Sequence, residues 1–232
     1  MLGKFHDGLT RPSAFTTKYH MAIGSAIHRL IQEMWGKQGS LWGDWRCECG
    51  AIFSNQSISA CKVCGGKIEY VEKTLVDPAS GFSGHCDAIL DMPQLGGYVV
   101  GEIKSRNYNI IKSHENKEPY ESDRFQVSAY ATLISRQFGI PVVGRMILWV
   151  GKPRPAPYGL WWYSGLGEDI YDSQVATYAD MERAVRDGDA LAVPGTCDDI
   201  KDADDCPFAG VCFSPRRDAL IMELYMDFLR KS

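Results

Sequence analysis

The chain has 232 residues, 45% of them hydrophobic and 23% charged, with a formal net charge of −4. That balance suits a globular domain able to bury a core without disulfides, and no run approaches the roughly 18 apolar residues of a membrane span. The acidic balance excludes a protein that coats nucleic acid by bulk positive charge, so any such contact must come from local patches: Arg106, Lys112 and Lys117, or the stretch holding Lys152 and Arg154.

The N-terminus, MLGKFHDGLTRPS, lacks an apolar core segment, which predicts no signal peptide and a cytoplasmic protein. Residues 14–36 read as a helix, because Ile27, Leu30, Ile31 and Met34 recur at i, i+3, i+4 and i+7, and Gly36 and Gly39 end it. A Cys/Gly-rich segment over 45–67 follows. Strand-like runs come next at 68–76, 82–91 and 97–104, the last two separated by a turn at Gly96-Gly97. A polar stretch leads to a helix over 121–138, with Phe125, Ala129, Leu133 and Phe138 near helical spacing. A buried strand is predicted over 143–150, then a Pro-rich connector, a strand at GLWWY, and helices at 168–187 and 216–230. This order predicts an α/β domain with a mixed central sheet flanked by helices. Residues 1–40 and 68–232 form that domain, its core at about 14–36 and 68–164 and a Cys-containing helical region at 165–232; residues 41–67 are an insertion.

The insertion reads C-x-C, eleven residues, then C-x-x-C: Cys47, Cys49, Cys61 and Cys64. Four thiolates so spaced make a closed tetrahedral Zn²⁺ site, structural rather than catalytic, of the zinc-ribbon kind. Such a metal stabilises a module too small for a core of its own. Trp42 and Trp45 flank it, either as packing or as surfaces on which bases stack.

Asp87 lies in GHCDAIL, and Glu102 and Lys104 lie in YVVGEIKS. Strand residues two apart share a face, so Glu102 and Lys104 project together. If the two runs pair as a hairpin, Asp87 joins them. Two carboxylates suit Mg²⁺ or Mn²⁺, and the lysine can orient a water or neutralise developing charge. The helices add Gly24 and His28, four apart, and Gln126 and Tyr130, also four apart.

Taken in order, G-x-x-x-H, G-x-x-D, E-x-K and Q-x-x-x-Y resemble the PD-(D/E)xK nuclease superfamily over residues 20–150, in particular its RecB-like branch with the CRISPR-associated and phage exonucleases. His85-Cys86-Asp87 stands where the family name has Pro-Asp. The resemblance implies a restriction-endonuclease-like core. His28, Asp87, Glu102 and the backbone carbonyl of Ile103 would hold Mg²⁺ or Mn²⁺. Lys104 would be the catalytic lysine, and Gln126 and Tyr130 would position substrate or brace the site. Glu69 or Glu72 would add a further carboxylate. It also implies a bacterial or phage setting, with DNA ends or single strands as substrate and a recombination or replication protein as partner.

Many RecB-like exonucleases carry a 4Fe–4S cluster, and CPFAGVC resembles the end of that pattern. On this likeness Cys197, Cys206 and Cys212 would bind an iron–sulfur cluster or zinc, with His6, His20 or Cys86 available as a fourth ligand. No cysteine precedes His28, and position 203 is Ala. The leading expectation is a metal-dependent DNA exonuclease of recombination, repair or replication. The alternatives are an endonuclease or flap nuclease with the same site, and a non-catalytic ribbon module that binds DNA or protein.

Overall fold

The computed structural model describes residues 15–152 and 158–186. Arg154, the three C-terminal cysteines and the helix predicted over 216–230 lie outside them. The chain divides into two compact units, residues 1–171 and 172–232. The elements are α1 (Phe15–Lys37), β1 (Trp42–Cys47), β2 (Ile52–Ser57), β3 (Ile68–Val71), β4 (Lys73–Asp77), β5 (Phe82–Cys86), β6 (Ala88–Met92), β7 (Gly97–Asn107), α2 (Tyr108–Ser113), α3 (Glu121–Phe138), β8 (Val142–Lys152), β9 (Tyr158–Ser164) and α4 (Glu168–Arg186). They make a mixed α/β structure. Among the described residues, no helix is long and apolar enough to cross a membrane.

The central sheet has the order β6-β7-β8-β9. β6 and β7 pair antiparallel, from Ala88 opposite Gly101 to Met92 opposite Gly97. β7 and β8 pair in parallel, and α2 and α3 form the crossover between them that parallel pairing requires. β7 is buried without a break from Val99 to Ile103, as befits a central strand covered on both faces. Its start needs Gly97, since a Cβ there would lie 2.3 Å from the Pro141 carbonyl oxygen. α3 buries Val127, Ala129, Leu133 and Ile134 and ends on Gly139, whose left-handed backbone (φ 65°) lets its N–H cap the Ser135 carbonyl.

Two of the predicted strand runs are each two strands. The run 68–76 breaks at Glu72: β3 pairs with β1 and β4 pairs with β5. The run 82–91 breaks at Asp87, where the chain leaves the β4–β5 hairpin for the central sheet. Lys73 lies opposite Cys86, so the two breaks sit side by side. At both corners the residue freed from strand pairing is a carboxylate.

The predicted ribbon contains β1 and β2, and its sheet, ordered β2-β1-β3, takes in residues 68–71 as well. It has no core apart from that of the central sheet. Leu41, Trp45, Cys47, Cys61 and Ile68 share one apolar cluster with Ala88, Leu90, Val99 and Met146. Trp42 and Trp45 are both buried, and the Trp45 indole donates to the Gln56 carbonyl at 2.9 Å. These tryptophans are packing and present no face to a base. The buried Lys73 on β4 reaches Asp44 on β1 at 2.6 Å, with its ammonium over the Phe138 ring at 4.9 Å. A buried pair of this kind adds little net stability; its consequence is geometric, fixing how the ribbon sheet meets the β4–β5 hairpin.

The apolar stripe that predicts α1 packs only in part, with Ile27 and Ile31 half-buried. Leu30 and Met34 are 59% and 56% exposed. The packed face runs through Gly24, His28, Gln32 and Gly36. A Cβ on Gly24 would press on Ser105 of β7, and one on Gly36 would press on Trp45 of β1. The helix therefore lies close against two sheets through small residues, with two polar side chains between them.

Candidate metal centres

In the ribbon, the Cys47 and Cys64 sulfurs are 3.5 Å apart, and those of Cys49 and Cys61 are 3.7 Å apart. All four lie within 4.8 Å of one another. A tetrahedral Zn–S distance of about 2.3 Å implies S···S separations of roughly 3.8 Å, so the four thiols can hold a metal ion such as zinc. Their proton affinities are already split. The Cys64 backbone N–H pulls the Cys61 thiol down to about 6 against the effect of burial. At Cys47 a backbone N–H from Cys49 lowers, but the neighbouring thiols and burial outweigh it and push the group up to about 12.

The second centre forms where β6 stops. Beyond Gly101 that edge of β7 has no strand paired with it among the described residues. Asp87 turns into that gap, and its Oδ2 accepts the Ile103 N–H at 2.8 Å. A strand residue's N–H and C=O point to the same edge, so the Ile103 carbonyl faces the same opening. The other Asp87 oxygen lies 3.4 Å from His28 Nδ1. Burial lowers the His28 pKa, but the hydrogen bond to Asp87 and the nearby carboxylates outweigh it, and the net shift is upward.

Glu102 is 2% exposed. Its Oε1 accepts from Lys104 Nζ at 2.7 Å, while its Oε2 is buried with no hydrogen-bond partner among the described residues. Burial first, and then the charge of Asp87, push its carboxyl up to about 8 despite Lys104. A buried carboxylate oxygen with nothing bound to it, beside a second carboxylate, is the arrangement that a hard cation satisfies.

Lys104 also donates to Gln126 Oε1 at 2.7 Å, and Gln126 Nε2 donates to the Tyr130 hydroxyl at 2.9 Å. Both α3 residues thus support the lysine. Tyr130 lies over the backbone of Gly84, where a Cβ would come within 2.7 Å of its hydroxyl. The glycine of G-x-x-D is there to admit the tyrosine of Q-x-x-x-Y.

The choice between Glu69 and Glu72 falls to Glu72. One ligand atom from each of His28, Glu72 and Asp87 lies within 4.8 Å of the others, whereas Glu69 sits within β3 opposite Arg46. Gln32 places Glu72, since its Nε2 donates at 2.9 Å both to Glu72 Oε1 and to the Asp87 carbonyl. Sequence reasoning passed over Gln32. Continuing the four-residue spacing from Gly24 and His28 reaches it directly, and Gly36 after it.

Other candidates stand apart. Arg106 is held by Asp123 at 2.6 Å, and Asp123 also accepts the Trp149 indole at 2.9 Å; this arginine is occupied within the fold. Cys86 is fully buried and donates to the Ala88 carbonyl. A groove of about 980 Å³ runs from His28, Glu72 and Asp87 along α1 to Arg46 and Lys67, giving the site an approach from solvent. No protein-family model matches the chain, and no curated protein matches it in sequence.

Proposed function

We propose that this chain is a metal-dependent deoxyribonuclease with a PD-(D/E)xK core of the RecB-like kind, and that it acts from DNA ends. The observation that carries this reading is the buried, unpartnered oxygen of Glu102, beside Lys104 and within reach of the charges of Asp87 and His28, next to the separate grouping of His28, Glu72 and Asp87. The helix, antiparallel pair, helix and parallel strand from α1 to β8 support the same reading of the core.

His28, Glu72, Asp87, Glu102 and the Ile103 carbonyl are the groups that would hold Mg²⁺ or Mn²⁺. When bound, such a cation supplies Lewis-acid polarisation of a phosphodiester and a water made acidic enough to attack near neutral pH. The protein's own part is placement. Asp87 is fixed by the Ile103 N–H, so its other oxygen, which faces His28, keeps one direction. Glu102 and Gln126 hold Lys104 between them, and its ammonium stays where negative charge grows on the phosphate during displacement. Tyr130 keeps Gln126 from swinging away. The four-cysteine site stabilises the ribbon, with zinc as the expected ion.

Gln32 acts through Glu72 and Asp87 as a positioning residue. Gln32→Ala is expected to weaken Mn²⁺ binding, read by calorimetry, by roughly 10- to 100-fold, the range for losing an outer partner of a metal ligand. The circular dichroism spectrum should not change. Unaltered Mn²⁺ affinity would remove Gln32 from the site.

The reading is tested on end-labelled linear DNA and closed-circular DNA with Mg²⁺ or Mn²⁺. Loss of the linear substrate alone is the expected result. Cutting of the circle as well makes the enzyme an endonuclease with the same site. Failure of well-folded protein to cut either overturns the proposal.

A further inference from the structure

We infer that the groove beside the metal centre holds a second phosphate of the substrate backbone, between His85 on one wall and Arg29 on the other, so that the enzyme grips the phosphodiester next to the one it attacks. The inference rests on the nuclease reading above and adds two substrate-binding residues to it.

Both residues border the same opening. They line the groove together with His28, Glu72 and Asp87. Arg29 follows His28 on α1. His85 precedes Asp87 by two residues, about 7 Å of extended chain. The His28 and Asp87 side chains lie 3.4 Å apart, so Arg29 and His85 flank one point from opposite walls. His85 does not belong to the grouping of His28, Glu72 and Asp87. It is placed to meet what the cation holds, and not the cation.

Strand alternation turns His85 outward. On β4 and β5, Lys73, Leu75 and Cys86 are buried, while Thr74 and His85, directly opposite each other, are exposed. Gly84 gives its side of β5 to Tyr130, which leaves the next residue, His85, on the groove side. Thr74 fixes the ring, since its Oγ1 lies 3.1 Å from His85 Nδ1. When the Thr74 hydroxyl donates to Nδ1, the proton sits on Nε2, and that N–H is the free donor of the ring. A phosphate oxygen selects this arrangement. Thr74 is thus a positioning residue that acts through His85.

Arg29 supplies the charge. Its neighbour one turn on, Glu33, is engaged by Lys67 at 2.9 Å. Arg29 itself has no ion pair or hydrogen bond among the described residues. A guanidinium matches phosphate through parallel N–H donors, and an imidazole N–H from the other wall completes the grip. A strand with one phosphate on the cation carries its next phosphate one nucleotide along the groove.

The test compares fluorescein-labelled oligo-dT with a strand of equal length in which every second linkage is a neutral methylphosphonate. In the alternating strand, a charged phosphate on the cation has only neutral neighbours. Anisotropy in Ca²⁺ reads binding to full-length wild type, His85→Ala, Arg29→Ala, Thr74→Val and Thr74→Ser. On oligo-dT, His85→Ala and Arg29→Ala should each bind roughly ten- to a hundredfold more weakly than wild type, the range for a hydrogen bond to a charged group. On the alternating strand that difference should all but vanish. Thr74→Val should follow His85→Ala with a smaller loss, and Thr74→Ser should bind as wild type. Equal losses on both strands, or none on either, overturn the subsite, as does wild type that binds no oligo-dT. Cleavage in Mn²⁺ separates the two proposals. Wild type that cuts linear DNA, with His85→Ala and Arg29→Ala binding normally, loses the subsite alone. Wild type that never cuts, with His85 and Arg29 still needed for oligo-dT but not for the alternating strand, loses the nuclease alone.

Discussion

Glu102→Gln should lower cleavage of linear DNA by roughly a thousandfold or more, because it removes a charged ligand from a cation that supplies several kcal/mol of charge stabilisation, and about 1.4 kcal/mol is tenfold in rate. The same change should stabilise the metal-free protein at alkaline pH. The sign follows from the direction of the shift. Glu102 has its carboxyl raised from 4.5 to about 8 by burial and by Asp87. Its contribution to stability is therefore full below about pH 4.5 and is lost as pH rises through about 8. Metal-free wild type should lose stability across that window while Glu102→Gln does not, so the melting curves agree at pH 4 and part at pH 8. Added Mn²⁺ reverses the order, since a ligand that binds the native state raises its melting temperature, and the variant has lost part of the ligand set. Near pH 7 wild type should also release protons on binding the ion, because Glu102 is largely protonated before metal arrives and His28, its pKa raised, is partly protonated as well. Calorimetry in buffers of different ionisation enthalpy measures the protons released, and Glu102→Gln should release fewer. Wild-type cleavage by Glu102→Gln would end the nuclease reading.

What could be read from the sequence divides along a physical line. Local periodicity reports local backbone. α3 spans 121–138 as predicted, and β8 and α4 lie within a residue or two of their predicted bounds. The spacing within G-x-x-D, E-x-K and Q-x-x-x-Y places residues on faces, and the fold brings those faces together. Periodicity does not say which sheet a strand joins. The runs 68–76 and 82–91 look continuous because both halves of each are apolar, yet each halts at a carboxylate where the chain changes partners. Hydrophobic periodicity likewise says nothing of the small and polar face of α1: the spacing of Gly24 and His28 marks part of it, but Gln32 and Gly36, which complete it, carry no hydrophobic signal. Glu69 and Glu72 were inseparable for a related reason. Both neighbour the same apolar run, and what distinguishes them is Gln32, forty residues before Glu72 in sequence.

Cys61→Ser should destabilise the whole described α/β structure and not the ribbon alone. Cys61 and Cys47 are buried in the same apolar cluster as Ala88, Leu90 and Val99 of the central sheet, so the four-thiol site is a corner of the main core. Serine places a hard hydroxyl where a soft thiolate was, and a three-thiolate remnant holds zinc poorly. A loss of several kcal/mol corresponds to a fall in Tm of roughly 10 °C or more, at about 2–4 °C per kcal/mol for a chain of this size. Zinc released on denaturation, measured with a colorimetric chelator, should fall from one equivalent in wild type to near zero. The effect should also reach the other centre, because Gly36 rests on Trp45 of the ribbon and Gln32, one turn earlier on α1, holds Glu72 and the Asp87 carbonyl. Cys61→Ser is therefore expected to weaken Mn²⁺ binding even at temperatures where the variant is folded, although Cys61 belongs to the other ligand set. A variant that keeps its zinc and its Tm would show that the four thiols do not share one ion. A variant that loses zinc but binds Mn²⁺ as wild type does would show that α1 keeps its place without the ribbon.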